Sequence, residues 1–254
     1  MNTRRFAVVA LLLFVRVSFA QEKTDQVNLV QTFFQDAMIA ANPYGEGFFQ
    51  FSDYDHGLSS FDVAAQGAFP LSPKFQLGGG IGFRSVSNGN SQSGISDLVA
   101  SGRYLVVPGP TAIAVGGLLT LPIGDEDIGE GSLDFSFFGS LRHPLPSGFV
   151  ITGSLALEFV ETKTFDFDPT TLQVEESTDY NNGLLLAGGF IYPMKSGLSL
   201  VTELNIRTEG DYILLSGGVD YPMKSGGRLR GALGLGLDDG APNFALRGGY
   251  YLGF

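Results

Sequence analysis

From about residue 44 to residue 254, apolar residues recur at every second position. Phe61, Val63, Ala65, Gly67 and Phe69 fall on one side of an extended chain, and Ser60, Asp62, Ala64 and Gln66 on the other. The same split runs through residues 75–83, 98–106, 113–121, 133–141, 149–159, 184–192, 198–206, 213–221, 229–237 and 244–254, with a weaker run at 44–52. The 12 prolines all lie between these runs, as residues that cannot donate to a strand ladder should. One such turn, Tyr192-Pro193-Met194-Lys195-Ser196-Gly197, recurs verbatim at Tyr221-Pro222-Met223-Lys224-Ser225-Gly226. The pattern predicts hairpins joined by short turns, with about twelve strands in all.

Strands with one apolar and one polar or small face serve either a soluble sandwich or a membrane barrel. In the first the apolar face is the core; in the second it faces lipid and the other face lines a lumen. Length favours the barrel, because runs of about ten residues suit a tilted membrane strand whereas globular strands usually have about five or six. Aromatic placement agrees: Phe61/Phe69, Phe75/Phe83, Phe149/Phe159 and Phe244/Phe254 bracket their runs. At about 3.3 Å per residue and a tilt near 40°, such spacing covers roughly 20–25 Å along the membrane normal, the height of an apolar band between aromatic girdles. Twelve strands about 4.7 Å apart would give a backbone radius of roughly 12 Å. Inward positions rich in Gly, Ala and Ser would leave a water-filled passage.

Composition narrows the chemistry. The 254 residues include 36 glycines and 22 phenylalanines but no cysteine and two histidines, His56 and His143. Disulfides, thiolate metal sites and a cysteine nucleophile are excluded, and no metal or cofactor is called for. Residues 1–20 read as a signal peptide. Arg4 and Arg5 precede an apolar stretch too short for a membrane helix, and Ser18-Phe19-Ala20 places small residues where a signal peptidase reads them. Cleavage before Gln21 would remove three arginines, leaving 12 basic against 26 acidic residues, a net charge of −14. Nucleic acid is a poor partner for that balance.

An exported chain ending in the alternating strand Phe244 to Phe254 resembles the bacterial outer-membrane β-barrel proteins. The resemblance implies that Tyr250, Leu252 and Phe254 form an assembly signal read by the barrel assembly machinery. It also implies contact with outer-membrane lipid and lipopolysaccharide. The turn Leu121-Pro122-Ile123-Gly124-Asp125, followed by Gly129-Glu130-Gly131 and a new strand, resembles more narrowly the outer-membrane transporters grouped as the meta-pathway of phenol degradation family. That likeness implies passage of small solutes, aromatics among them, and carries no catalytic residues.

The expected fold is an all-β, transmembrane, antiparallel up-and-down barrel of about 12 strands with a short N-terminal amphipathic helix. Residues 1–20 are the signal peptide, 21–43 a periplasmic, interfacial or plug segment, and 44–254 the barrel. Val27, Val30, Phe34, Ala37 and Met38 recur at helical spacing after a Thr24 or Asp25 cap, which predicts the helix, with the membrane interface favoured over the lumen as its place. Short proline turns would face the periplasm along with both mature termini, and the loops Asp53 to Gly57, Ser87 to Gly94, Pro122 to Gly131, Glu161 to Asp179, Thr208 to Asp211 and Asp238 to Pro242 would face outward. Acidic residues concentrate in those loops, while Lys74, Arg142, Lys195 and Lys224 sit at the turns.

Inward parity and mid-strand position nominate Gln66, Arg103, Ser136, Ser154, Glu203 and Arg247 as lining a constriction with opposite charges facing each other. Other lumen-facing charges are Asp62, Arg84, Asp97, Asp134, Glu158, Arg207, Arg228 and Arg230. A network of ion pairs closing the interior is the competing reading of the same residues. Glycines recur mid-strand on the lipid face at positions such as 67, 102, 117, 231 and 248. The function that fits is a non-enzymatic, porin-like outer-membrane channel or transporter for small, aromatic or hydrophobic solutes, its oligomeric state open. A structural or adhesive barrel without an open pore is the alternative. A lipid-modifying enzyme using His56 with Ser52, Ser59 or Ser60 ranks below both, because no Gly-x-Ser-x-Gly elbow is present.

Overall fold

The computed structural model describes residues 27–254 apart from 126–127, 129–130, 169–172 and 225. The expected signal peptide lies outside these residues. The strands are β1 (Tyr44–Asp53), β2 (Ser59–Ser72), β3 (Phe75–Asn88), β4 (Asn90–Ile95), β5 (Leu98–Val107), β6 (Ala112–Leu121), β7 (Asp134–Pro144), β8 (Val150–Asp168), β9 (Gln173–Pro193), β10 (Ser199–Arg207), β11 (Tyr212–Pro222), β12 (Arg228–Gly236) and β13 (Phe244–Gly253). Apart from β4 and β5, which do not pair with each other, consecutive strands pair antiparallel. The first half of β3 pairs with β5 and the second half with β4, so β4 and β5 together act as one stave. The ring closes where β1 meets β13, Tyr44 opposite Gly253 and Asp53 opposite Phe244. The result is a closed barrel of twelve staves with no free edge.

Alternation along the strands sorts the side chains as the sequence pattern requires. Phe137, Leu155, Leu157, Leu233 and Leu235 are each more than half exposed on the outer face, while their neighbours Phe138, Ala156, Ser136 and Ser154 are buried inside. Burying one such large apolar side chain stabilises by about 1.5–3 kcal/mol. A wall that leaves dozens of them outside is therefore built for lipid. The aromatic brackets are present at both ends of the same strands. Phe135 and Phe159 stack with centroids 4.7 Å apart beside Tyr180, and Phe149 stacks on Tyr192 at 4.5 Å near the proline turns.

The lipid-face glycines pair across strands, Gly67 with Gly79, Gly102 with Gly117, Gly153 with Gly188 and Gly231 with Gly248. At Gly248 the missing side chain makes room for a neighbouring ring: a Cβ built there would lie 2.6 Å from the Phe49 ring. Gly248 thus lets Phe49 lie down against the backbone of the next strand.

Two expectations are corrected. The Glu161 to Asp179 stretch is mostly strand, because the β8–β9 ladder runs on from Val150 opposite Ile191 to Asp168 opposite Gln173. Its Thr, Val and Phe residues favour extended pairing over a loop. The second correction concerns the chain before β1: residues 27–43 form no helix. They run as irregular chain with bends and turns inside the barrel, with Val27, Asn28, Leu29, Val30, Phe33, Gln35, Asp36, Ala37 and Ala40 all buried.

Candidate functional site

The lumen is filled by that N-terminal segment, hereafter the plug. Its backbone finds partners on the wall instead of within itself. The carboxylate of Glu203, on β10, accepts from the N–H groups of Val30, Gln31 and Thr32, each at 2.9 Å, and from the Thr32 hydroxyl at 2.8 Å. Asn205 Nδ2 donates to the same carboxylate at 3.2 Å. Plug carbonyls are met by arginines: Arg142 on β7 donates to Val27 O, Arg230 on β12 to Asn28 O and Leu29 O, and Arg103 on β5 to Phe34 O. Arg142 also pairs with Asp36 at 2.5 Å. The barrel therefore takes the donors and acceptors that a helix would have used internally, which is why the helical spacing of the sequence is not realised. One turn-like bond, Gln35 N–H to Thr32 O, is what remains of it.

Apolar side chains anchor the plug at three levels. Val27, Leu29 and Val30 pack on Ile191, Val201 and Ala232; Phe33 and Ala40 on Tyr44, Ala68 and Tyr251; Ala37 on Ala112 and Ala114. Phe33 meets Phe34 edge-on at 5.2 Å and Tyr44 at 5.6 Å. Two side-chain bonds complete the docking, Ser154 Oγ to Gln35 Oε1 at 2.7 Å and Ala40 N–H to Gln76 Oε1 at 3.1 Å.

Beneath these contacts lies a buried charge network. Glu46 accepts from Arg230 at 2.9 Å, from Gln66 Nε2 at 2.8 Å and from Arg247 at 3.4 Å. Arg230 and Arg228 both pair with Asp220, and Arg247 lies 3.6 Å over the Phe48 ring. Buried charges in such numbers persist only when mutually paired and hydrogen-bonded.

Two open spaces in the lumen border the plug. One of about 430 Å³ is lined by Gln31, Thr32 and Phe34 of the plug together with Ser136, Glu158 and Arg207. The other, about 270 Å³, lies between Gln31, Phe34, Phe48, Gln66, Arg84 and Arg247. The plug is a shared wall of both.

The six residues nominated from sequence all face the interior. Arg103, Ser154 and Glu203 touch the plug; Gln66 and Arg247 belong to the Glu46 network; Ser136 lines the larger cavity. Among the described residues Glu203 forms no ion pair with an arginine; it receives backbone N–H groups of the plug instead. The remaining nominated charges pair toward the strand ends. Asp62 meets Arg84 at 2.6 Å and Glu158 meets Arg207 at 3.4 Å, while Asp97 accepts from Gly124 N–H and Asp134 from Glu161 N–H. Tyr250 donates its hydroxyl to Gly226 O, and Phe254 N–H bonds to Pro43 O, with Leu252 between them on β13. The wholly missed residues are Glu46 and Asp36. In β1 the consecutive aromatics Phe48 and Phe49 blur the alternation, although Tyr44, Glu46, Gln50 and Ser52 share one parity. Ser52 is buried on the inward face and takes a hydrogen bond from Gln50, whereas His56 is exposed in the turn after β1.

A closed ring of long amphipathic strands around a polar, plugged lumen defines a transmembrane β-barrel of the outer-membrane type. The solved structures agree on the fold. An outer membrane channel from Pseudomonas putida F1 is similar with a TM-score of 0.65 at 15% identity, over 89% of this chain and 100% of that one. The KdgM porin is similar with a TM-score of 0.50 at 12% identity, over 82% and 99%. No curated protein matches the chain in sequence. A family model does: the chain belongs to the family described as "Putative MetA-pathway of phenol degradation", which matches residues 44–254. The match begins at the first residue of β1 and leaves the plug outside it.

Proposed function

We propose that this protein is an outer-membrane channel for small solutes whose resting state is closed by its own N-terminal segment, with both ends of the barrel chain on the periplasmic side. The observation that carries the reading is how the lumen is filled. A barrel serving only as a scaffold would pack its interior with wall side chains. Here wall charges pair largely with one another, and the space between them is taken by one continuous segment held through hydrogen bonds, the Arg142–Asp36 ion pair and three small apolar clusters. Such a segment is removable without breaking any bond of the strand ladder. The family description and the channel and porin similarities support solute passage; the apolar contacts of the plug suit solutes with an aromatic or aliphatic body.

The test is solute entry into proteoliposomes. Wild-type protein is expected to admit small solutes slowly, and Glu203→Gln, which removes the carboxylate holding three plug N–H groups, is expected to admit them at least tenfold faster. Equal and negligible uptake by both proteins, with folding of both verified by resistance to unfolding in detergent, would remove the channel reading in favour of a structural barrel.

A further inference from the structure

The plug sits in the lumen as a ligand would, and its contacts show what the wall can recognise. Alongside Glu203, Gln76 and Ser154, three arginines grip it, and what those arginines grip is oxygen. Arg142 has two partners, the Asp36 carboxylate and Val27 O, and both belong to the plug. Arg103 donates to Phe34 O and the Tyr44 hydroxyl, and among the described residues it has no carboxylate partner. Withdrawal of the plug would strip both guanidiniums of their plug acceptors. The other charges at this level are Arg228, Arg230 and Arg247 against Glu46, Asp220 and Glu203. Five cations against three anions leave the vacated band net positive, inside a closed barrel where charge is screened less than in bulk water. Beyond it, toward the strand ends, Asp62, Glu158, Asp97 and Asp134 oppose Arg84 and Arg207, so the excess of positive charge is confined to the plug's footprint.

We propose that this footprint is an anion-recognising site for small organic carboxylates, occupied in the closed state by the plug's own Asp36 and carbonyls. Arg142 takes the solute carboxylate in place of Asp36, and Arg103 supplies a second donor. Apolar wall residues such as Ile191 and Val201, which receive Leu29 and Val30 in the closed state, accept the body of the solute. Binding and release of the plug are then coupled, since solute and plug compete for the same arginines. The proposal rests on the channel reading above and adds the charge of the solute to it.

The test leaves the barrel wall intact and loosens the plug in the full chain with Gln31→Pro, Thr32→Pro and Asp36→Ala, which remove two N–H donors to Glu203 and the carboxylate on Arg142. Planar bilayers under a tenfold potassium chloride gradient read its selectivity. Chloride is expected to permeate about threefold or more over potassium, and millimolar butyrate to reduce the chloride current where butanol does not. Adding Arg103→Gln and Arg142→Gln is expected to abolish both effects. Arg142→Lys, which keeps a charge at the same place, is expected to preserve the selectivity and separates a lost charge from a misfolded wall. A loosened channel that conducts but prefers potassium, or ignores butyrate, overturns the proposal. A loosened chain that is folded and never conducts overturns the channel reading itself.

Discussion

Glu203 shows how a single side chain can decide what a segment becomes. Its buried carboxylate receives three consecutive backbone N–H groups and one hydroxyl from the plug. Bonds to an ionised acceptor are about twice as strong as neutral ones. Leaving a buried donor unmade costs about 1–3 kcal/mol. Glu203→Gln should therefore weaken plug docking by about 3 kcal/mol, which at 1.4 kcal/mol per tenfold raises the undocked population by about two orders of magnitude. The expected signature is frequent channel opening with an unchanged unfolding midpoint in detergent, because the ladder between β10 and its neighbours is untouched. A second residue-scale expectation concerns the outer face. Gly248→Val should lower the unfolding midpoint by an amount equivalent to about 1–3 kcal/mol, since the new side chain displaces the Phe49 ring. Combined with Phe49→Ala, the loss should be less than additive, because the two changes share one contact.

At the scale of elements, the staves and the plug obey different rules. The strands are legible from sequence because period-two alternation is set by the backbone and is reinforced at every residue by lipid on one side and lumen on the other. Twelve runs in the sequence correspond to twelve staves, and Arg103, Glu203 and Arg247, on the inward parity, are buried. The plug was not legible in the same way. Val27, Val30, Phe34 and Ala37 do recur at helical spacing, but helix formation requires free N–H and C=O groups, and Glu203, Arg103, Arg142 and Arg230 occupy them from up to 202 residues away in sequence. No local pattern records such partners. The same reasoning explains the overestimate of the outer loop after β8, where pairing continues beyond the apolar run because a hairpin outside the membrane needs no apolar face. Replacing residues 164–177 with a short turn should accordingly leave the unfolding midpoint in detergent unchanged, since the ladder from Val150 opposite Ile191 to Glu161 opposite Tyr180 remains. A lowered midpoint would show that the hairpin tip braces the barrel.

As a whole molecule, the protein is a closed ring and a dockable filling. The ring has no edges and carries its apolar surface outward, so its stability is tied to lipid. The filling joins the ring covalently at Tyr44 and is held against the wall by contacts that can be exchanged for water or solute. The most direct measurement tethers the one to the other. The chain has no cysteine, and Ala37 of the plug packs on Ala114 of β6 with both side chains fully buried. The double variant A37C/A114C, crosslinked through its paired thiols, is recorded in planar bilayers before and after reduction. The crosslinked protein is expected to be silent, with single-channel openings appearing once the link is cut and vanishing when it is restored. Conductance that is the same in both states would contradict the claim that this segment closes the pore.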